Sequence, residues 1–365
     1  AASTLPDWNQ RQAEITTITA ALVDAPPAPF PGIEALRPRL AHFARRPDLV
    51  QQIAERGLAS PDRWVRAALL ATVAFTAENE SDMETVRKLV PTAYAEFTQL
   101  GDRWGLSSCL LVLARVATLD GRIDEATADY REAWRLLEEI GSSGDDESFI
   151  RIRVAELHAR QGDWTRARNE LERVVHGVGR PMSGYREMAA EITLAAVEWL
   201  SGDRDPALRR ARDLRRQVLE RSDPHVPVEH LTAVVLATSG GFEASVGEFD
   251  QAETDLARAY SSGVGTGDMP ILASVGQNVA ALALALDRVV DGAEILGASA
   301  QIRGGEDLGD PMVRRLFDAL RGRNPGFEAA YENGRSLPRK DAIARLDPQL
   351  LRRDAGIRAT PAARR

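Results

Sequence analysis

Gly121-Arg122-Ile123-Asp124-Glu125-Ala126 decides the fold, because its pattern returns along the chain. It recurs as Gly162-Asp163-Trp164-Thr165-Arg166-Ala167, as Gly202-Asp203-Arg204-Asp205-Pro206-Ala207 and as Gly247-Glu248-Phe249-Asp250-Gln251-Ala252. Arg288-Val289-Val290-Asp291-Gly292-Ala293 is a weaker copy without the leading glycine, and Thr85, after Glu80-Ser81-Asp82, anchors a degenerate one. The anchors 85, 126, 167, 207, 252 and 293 lie 41, 41, 40, 45 and 41 residues apart, a spacing chance does not hold. In each copy the glycine ends one helix in the left-handed conformation. An acidic residue opens the next, facing its free amides and the positive end of its dipole. The alanine one turn further on lets two antiparallel helices approach closely. Apolar residues at helical spacing follow (Tyr130, Ala133, Leu137) and precede (Leu110, Leu113, Ala114, Ala117), one buried stripe per helix.

A helix–turn–helix of about 34 residues with small residues at fixed offsets is the tetratricopeptide pattern. The longer period here predicts similar pairs with extended helices, stacked into an all-α, right-handed solenoid with a concave face. Composition agrees. Of the 365 residues, 44% are hydrophobic, 27% charged and only 5% aromatic, and basic charge is almost all arginine, with Lys88 and Lys340 the two lysines. Alanine, leucine, arginine and glutamate favour helices, whereas strands draw on β-branched and aromatic residues.

The expected organisation is an N-terminal helical cap or linker over 1–60, about six helix pairs over 61–303, capping helices over 304–347 and a loosely held basic tail over 348–365. Residues 1–60 carry helical patterns at Trp8–Val23, Ile33–Ala44 and from Pro47 to about Leu58, with a proline-rich connector at 26–31. The chain opens with Ala1 rather than methionine, which fits either processing or an excerpt of a longer polypeptide.

The net charge of −8 argues against whole-chain attraction to nucleic acid or anionic membrane. No apolar run is long enough to span a bilayer, and the start lacks a signal-peptide pattern. The single cysteine, Cys109, cannot form an internal disulfide, which points to a reducing cytoplasm; its position on an apolar helix side reads as a small core residue. No P-loop, H-E-x-x-H, C-x-x-C or G-x-S-x-G sequence occurs. The chain is therefore expected to be no enzyme and to need no cofactor or metal. Gly263-Val264-Gly265-Thr266-Gly267 follows no strand and reads as a flexible loop between repeats. His225 and His230, with Glu229, lack a third ligand. Arginines 204, 209, 210, 212, 215, 216 and 221, interleaved with Asp205, Asp213 and Glu220, read as a solvated helix face, or else as a partner or nucleic-acid contact.

Two stretches carry a family resemblance. Gly101-Asp102-Arg103-Trp104-Gly105-Leu106 resembles the joins in the C-terminal tetratricopeptide arrays of large bacterial transcriptional regulators, the antibiotic regulatory proteins of the SARP class and their nucleotide-switch relatives. The end of the array is similar to their closing repeat. It runs Ala293-x-x-Leu296-Gly297-Ala298-x-Ala300-x-x-Arg303-Gly304, then Asp310-Pro311, then Phe327-x-Ala329-Ala330-Tyr331-x-x-Gly334-Arg335-x-Leu337-Pro338. The likeness covers roughly residues 60–347. It implies a sensor or regulatory module that restrains a regulator through a ligand or a partner domain, with no direct nucleic-acid contact from this chain. The alternative is a free-standing scaffold that binds peptides or proteins.

Counting from the alanine anchors puts Arg115, Glu156, Trp199 and Asn278 on the groove-facing stripe of the first helices. That mixed set fits a partner domain or a small-molecule effector better than an acidic peptide tail. Trp199 is the expected exposed anchor, packing between repeats being its other reading.

Overall fold

The computed structural model describes residues 58–141, 144–177, 184–220, 228–323 and 325–351, with isolated positions Ala21, Arg37 and Ala41. The helical patterns and proline connector expected before residue 58, the tail from 352 and His225 lie outside these. Among the described residues the chain is all helix, without a strand. Six antiparallel pairs come first: α1 (Arg63–Asn79) with α2 (Met83–Leu100), α3 (Arg103–Leu119) with α4 (Ile123–Glu139), α5 (Gly144–Arg160) with α6 (Trp164–Val175), α7 (Gly184–Ser201) with α8 (Arg204–Glu220), α9 (Val228–Ser245) with α10 (Phe249–Thr266), and α11 (Met269–Ala285) with α12 (Val289–Arg303). Three shorter helices follow: α13 (Pro311–Arg323), α14 (Phe327–Arg335) and α15 (Arg339–Arg345).

The turn chemistry sets the repeat. Gly121, Gly162, Gly202 and Gly247 all adopt positive φ, between 74° and 102°. Five residues on, Ala126, Ala167, Ala207 and Ala252 are fully buried. The two degenerate copies slip by one residue from the expected register. Ser81 and Asp287 take the left-handed position themselves, each at φ 58°. The close-packed positions are therefore Val86 and Gly292, one residue from the expected Thr85 and Ala293. In every copy that residue donates its N–H to the residue four before it, as Val86 does to Asp82 O and Gly292 to Arg288 O. A β-carbon on Gly292 would sit 2.8 Å from Leu320 Cδ2 and 3.3 Å from Ala280 O. Only glycine lets α12 settle there.

The chain divides into two compact units, Ala1–Ala190 with Asp223–Pro227, and Glu191–Ser222 with Val228–Arg365. In the first, α1, α2 and α3 enclose a core of Leu69, Val90, Phe97 and Cys109, and α3, α4 and α5 enclose one built on Tyr130, Leu110 and Leu157. The join at Gly101 is a packing device. Gly101 ends α2 at φ 66°, Asp102 caps α3 by accepting from Gly105 N and Trp64 Nε1, and a side chain at Gly105 would collide with the Phe97 ring.

In the second unit the closing motif interlocks two helices. A side chain on Gly297 would strike Tyr331 O, and one on Gly334 would strike Glu294 O, so α12 and α14 meet backbone to backbone. Phe317, Phe327 and Tyr331 complete that contact as an aromatic triad, with Phe317 edge-on to both partners at 4.8 and 5.4 Å. The stretch 263–267 is not the expected loop. Helix α10 continues through Thr266, and Gly267 ends it in the left-handed conformation.

Candidate functional site

The seam where successive first helices meet holds the polar groups that sequence placed on the groove. In the first unit, Arg115 of α3 pairs through Nε with Glu78 of α1, a carboxylate only 4% exposed. Glu156 of α5 accepts from Arg153 Nη1 of the same helix at 2.8 Å. Between them lies the Tyr130 phenol, 1% exposed and within the fields of Arg153, Arg115, Glu156 and Glu78. Burial pushes that phenol up to about 12, so it stays neutral and can donate or accept a hydrogen bond. Arg115 and Glu156 thus belong to one network.

Next to it, Phe149 of α5 carries two guanidinium groups. Arg153 Cζ lies 5.1 Å from the ring centroid and Arg186 Cζ, from the first turn of α7, lies 4.9 Å from it. Arg186 also sits 5.6 Å from the Tyr185 ring. Neither arginine was expected at the site. The available signal was the spacing Phe149-x-x-x-Arg153, which puts ring and cation on one helix face.

Trp199 and Asn278, both in the second unit, pack against neighbouring residues of α9. Trp199 is 8% exposed and stacks on Phe242 with centroids 4.3 Å apart and rings 8° from parallel, while Arg204 lies over it at 5.2 Å. The expectation of an exposed aromatic anchor is therefore corrected, because a neighbouring first helix covers the indole. Asn278 donates to Ser274 O at 2.9 Å, and its Oδ1 lies close against Gly241.

The arginine-rich stretch is corrected as well, since it is not simply a solvated face. From α8, Arg210 reaches Glu198 and Glu191, Arg212 reaches Glu248 and Glu243, and Arg215 holds Asp255 at 2.6 Å. Glu198, Glu243 and Asp255 are 4%, 2% and 2% exposed, so these arginines neutralise acids the core has swallowed. Glu243 is pushed up to about 7, by burial first and then by the neighbouring Asp255 charge, against the opposing pull of Arg215 and Arg212.

Beyond the seam, an open cleft of about 430 Å³ is lined by Arg131, His158, Arg166, Asn169, Glu170 and Arg173. The Arg166 and Arg173 side chains there are 71% and 57% exposed, so water already serves them. Among the described residues no cluster of three or more His, Cys, Asp or Glu is arranged to hold a metal, and no helix is long and apolar enough to cross a membrane. Cys109 is 1% exposed, and burial pushes its thiol up to about 12.

No family model matches the chain, and no curated protein matches it. Solved structures do. The chain is similar to the Cut9–Hcn1 hetero-tetramer of the APC/C at TM-score 0.52 and 14% identity, over 84% of this chain and 53% of that one. It is also similar to NprR in complex with its cognate peptide NprX, at TM-score 0.51 and 12% identity over 88% and 97%. A signal transduction ATPase with a tetratricopeptide repeat sensor, from Pyrococcus horikoshii, matches at TM-score 0.42 and 11% identity over 91% and 50%. The chain has the all-α, tetratricopeptide-like solenoid fold.

Proposed function

We propose that this chain is a non-catalytic sensor or regulatory tetratricopeptide module that binds a peptide or partner domain along its first-helix face. One observation carries the reading. Three successive first helices of one unit bring Glu78, Arg115, Arg153 and Glu156 together around Tyr130, with Arg115 and Arg153 each about one-third exposed. In the second unit the acids on the corresponding helices are 4% and 2% exposed. A charged seam that is partly accessible suits recognition, where a few polar groups fix an occupant's orientation.

The regulator context rests on the closing motif. Its glycines and aromatics pack as one device, and that is the part of the chain most like the SARP-class arrays. The NprR structure holds a peptide, and the same mode of occupancy is proposed here.

The test is an array of short peptides graded in charge, presented to the full chain. Retention of a subset in the micromolar range, weakened by Arg115→Ala, is expected. A chain that retains no peptide at about 1 mM would sink the proposal.

A further inference from the structure

Arg186 is the anomaly of the first unit. Its side chain is half-buried, yet among the described residues it makes no ion pair and no hydrogen bond. Burial pulls its guanidinium below the ordinary arginine range. Tyr185, Asp145 and Asp146 lie near enough to oppose that, and the like charge of Arg153 adds to it. Arg153 is also incompletely served. Glu156 takes Nη1, while Nε is buried without any partner. Both cations lie within 5.1 Å of the centroid of one phenyl ring, so their centres are no more than about 10 Å apart.

Left alone, this arrangement is costly. A desolvated cation without an acceptor and an orphaned N–H each destabilise the fold, and two like charges on one ring add to that. An arriving carboxylate would give Arg186 an acceptor and offset the like charge of Arg153. The Nε–Nη2 edge of a guanidinium is the side-on fork that grips a carboxylate with two parallel hydrogen bonds, and Arg186, partly exposed, makes no hydrogen bond of its own among the described residues. Phe149 holds that fork in place and excludes water from one side, which strengthens the pairing.

We propose that Arg153 and Arg186, seated on Phe149, form a carboxylate-binding seat for an acidic peptide segment. The proposal deepens, and rests on, the reading of the first-helix face as a peptide site. It also revises the expectation that a mixed groove disfavours acidic peptides, because Arg153 and Arg186 lie outside the four positions counted from the alanine anchors. The carboxylate could come from a glutamate or aspartate side chain or from a peptide's C-terminus; both present the same planar anion.

Fluorescence anisotropy on the full chain separates these sources, using three sets of labelled short peptides. The first contains glutamates and has an amidated C-terminus, the second has glutamines and a free C-terminus, and the third has glutamines and an amidated C-terminus. Binding of the first or the second set but not of the third is expected, and identifies the source. Arg186→Gln should weaken that binding at least about tenfold, with Arg186→Lys intermediate because it keeps charge but loses the fork. The melting temperature of Arg186→Gln should equal or exceed that of the parent chain, since an unpaired, crowded cation has been removed. Equal binding of all three sets would overturn the seat while leaving peptide recognition standing. So would unchanged binding by Arg186→Gln, or a lower melting temperature with binding intact. If no peptide binds, a citrate titration decides. A thermal shift lost in Arg186→Gln keeps the seat and ends the peptide reading, and no shift ends both.

Discussion

The two compact units use the same helix pair and differ in how they hold charge near the seam. In the second unit, every acid drawn under the surface between α7 and α10 meets an arginine from α8, and the neighbouring seam is closed by a Trp199–Phe242 stack. In the first, Arg186 makes no ion pair or hydrogen bond among the described residues although Asp145 and Asp146 lie near it, and Arg153 Nε is buried without a hydrogen bond. One repeat geometry therefore supports both buried acids held by arginines and a cation with no acceptor among the described residues. Glu243 Oε2 in the second unit is also buried without a hydrogen bond, so a lone orphaned atom does not by itself mark a site. A buried ion pair that is satisfied says little about function. What sets the first unit apart is two guanidinium groups sharing the Phe149 ring.

The largest expected effect tests the sealed seam. Trp199→Ala should remove the stack on Phe242, leave a cavity and cost about 3–5 kcal/mol in chemical denaturation. Peptide binding by the first unit should survive in whatever fraction remains folded. A stability loss near zero, with binding abolished, would return Trp199 to the role that sequence assigned it and erase the contrast between the units.

A smaller effect tests the shared geometry. Ala126→Leu in the first unit and Ala207→Leu in the second each place a larger side chain where the present one is fully buried. Each should cost on the order of 1–3 kcal/mol through overpacking. Thermal melts in which only one of the two responds would mean that the repeat is not equivalent across the units.

How far all this was legible depends on what each signal measures. The helix pairs could be read because a turn that requires positive φ writes a glycine, and a close helix contact five residues later writes an alanine. The register slipped by one at the first and last pairs because Ser81 and Asp287 occupy the left-handed position. Serine rarely does so, and aspartate does more often. At the seam, the stripe gave the direction of Arg115 and Glu156, which follows from helix periodicity. It mistook Trp199, because periodicity gives a side chain's direction but not whether a neighbouring helix covers it. Arg186 escaped entirely, since its seat on Phe149 joins residues from different repeats that no periodicity links.

Protonation sharpens the comparison next. Glu243 is raised from the ordinary carboxylate range to about 7 in the folded chain, so the native state holds its proton where the unfolded state has released it. The unfolded chain then binds fewer protons between about pH 4.5 and 7, and stability falls as pH rises through that window. The groups facing it are Asp255, Arg215 and Arg212. The slope should stay below the one-proton limit of about 1.4 kcal/mol per pH unit, and Glu243→Gln should flatten it. A denaturation series in which Glu243→Gln keeps the parent's slope would show that Asp255 or another acid holds the proton instead.

The smallest effect concerns an arginine whose contacts look as rich as any in the second unit. Arg135 of α4 bonds both oxygens of Glu132 at 2.6 and 2.8 Å and also reaches Glu139, which makes it a more heavily bonded cation than Arg215. Its side chain is 53% exposed, however, and those of its partners 44% and 38%. Water screens each pair, and the long side chains give up rotamer freedom to hold it. Arg135→Ala should therefore melt indistinguishably from the parent chain. Arg215→Ala, by contrast, strands Asp255 at 2% exposure and should melt visibly lower. Paired melts at low and high salt check the point. If Arg135→Ala destabilises as much as Arg215→Ala at both ionic strengths, hydrogen-bond count rather than desolvation governs these arginines. The reading of Arg186 as a cation awaiting its anion would then lose its physical basis.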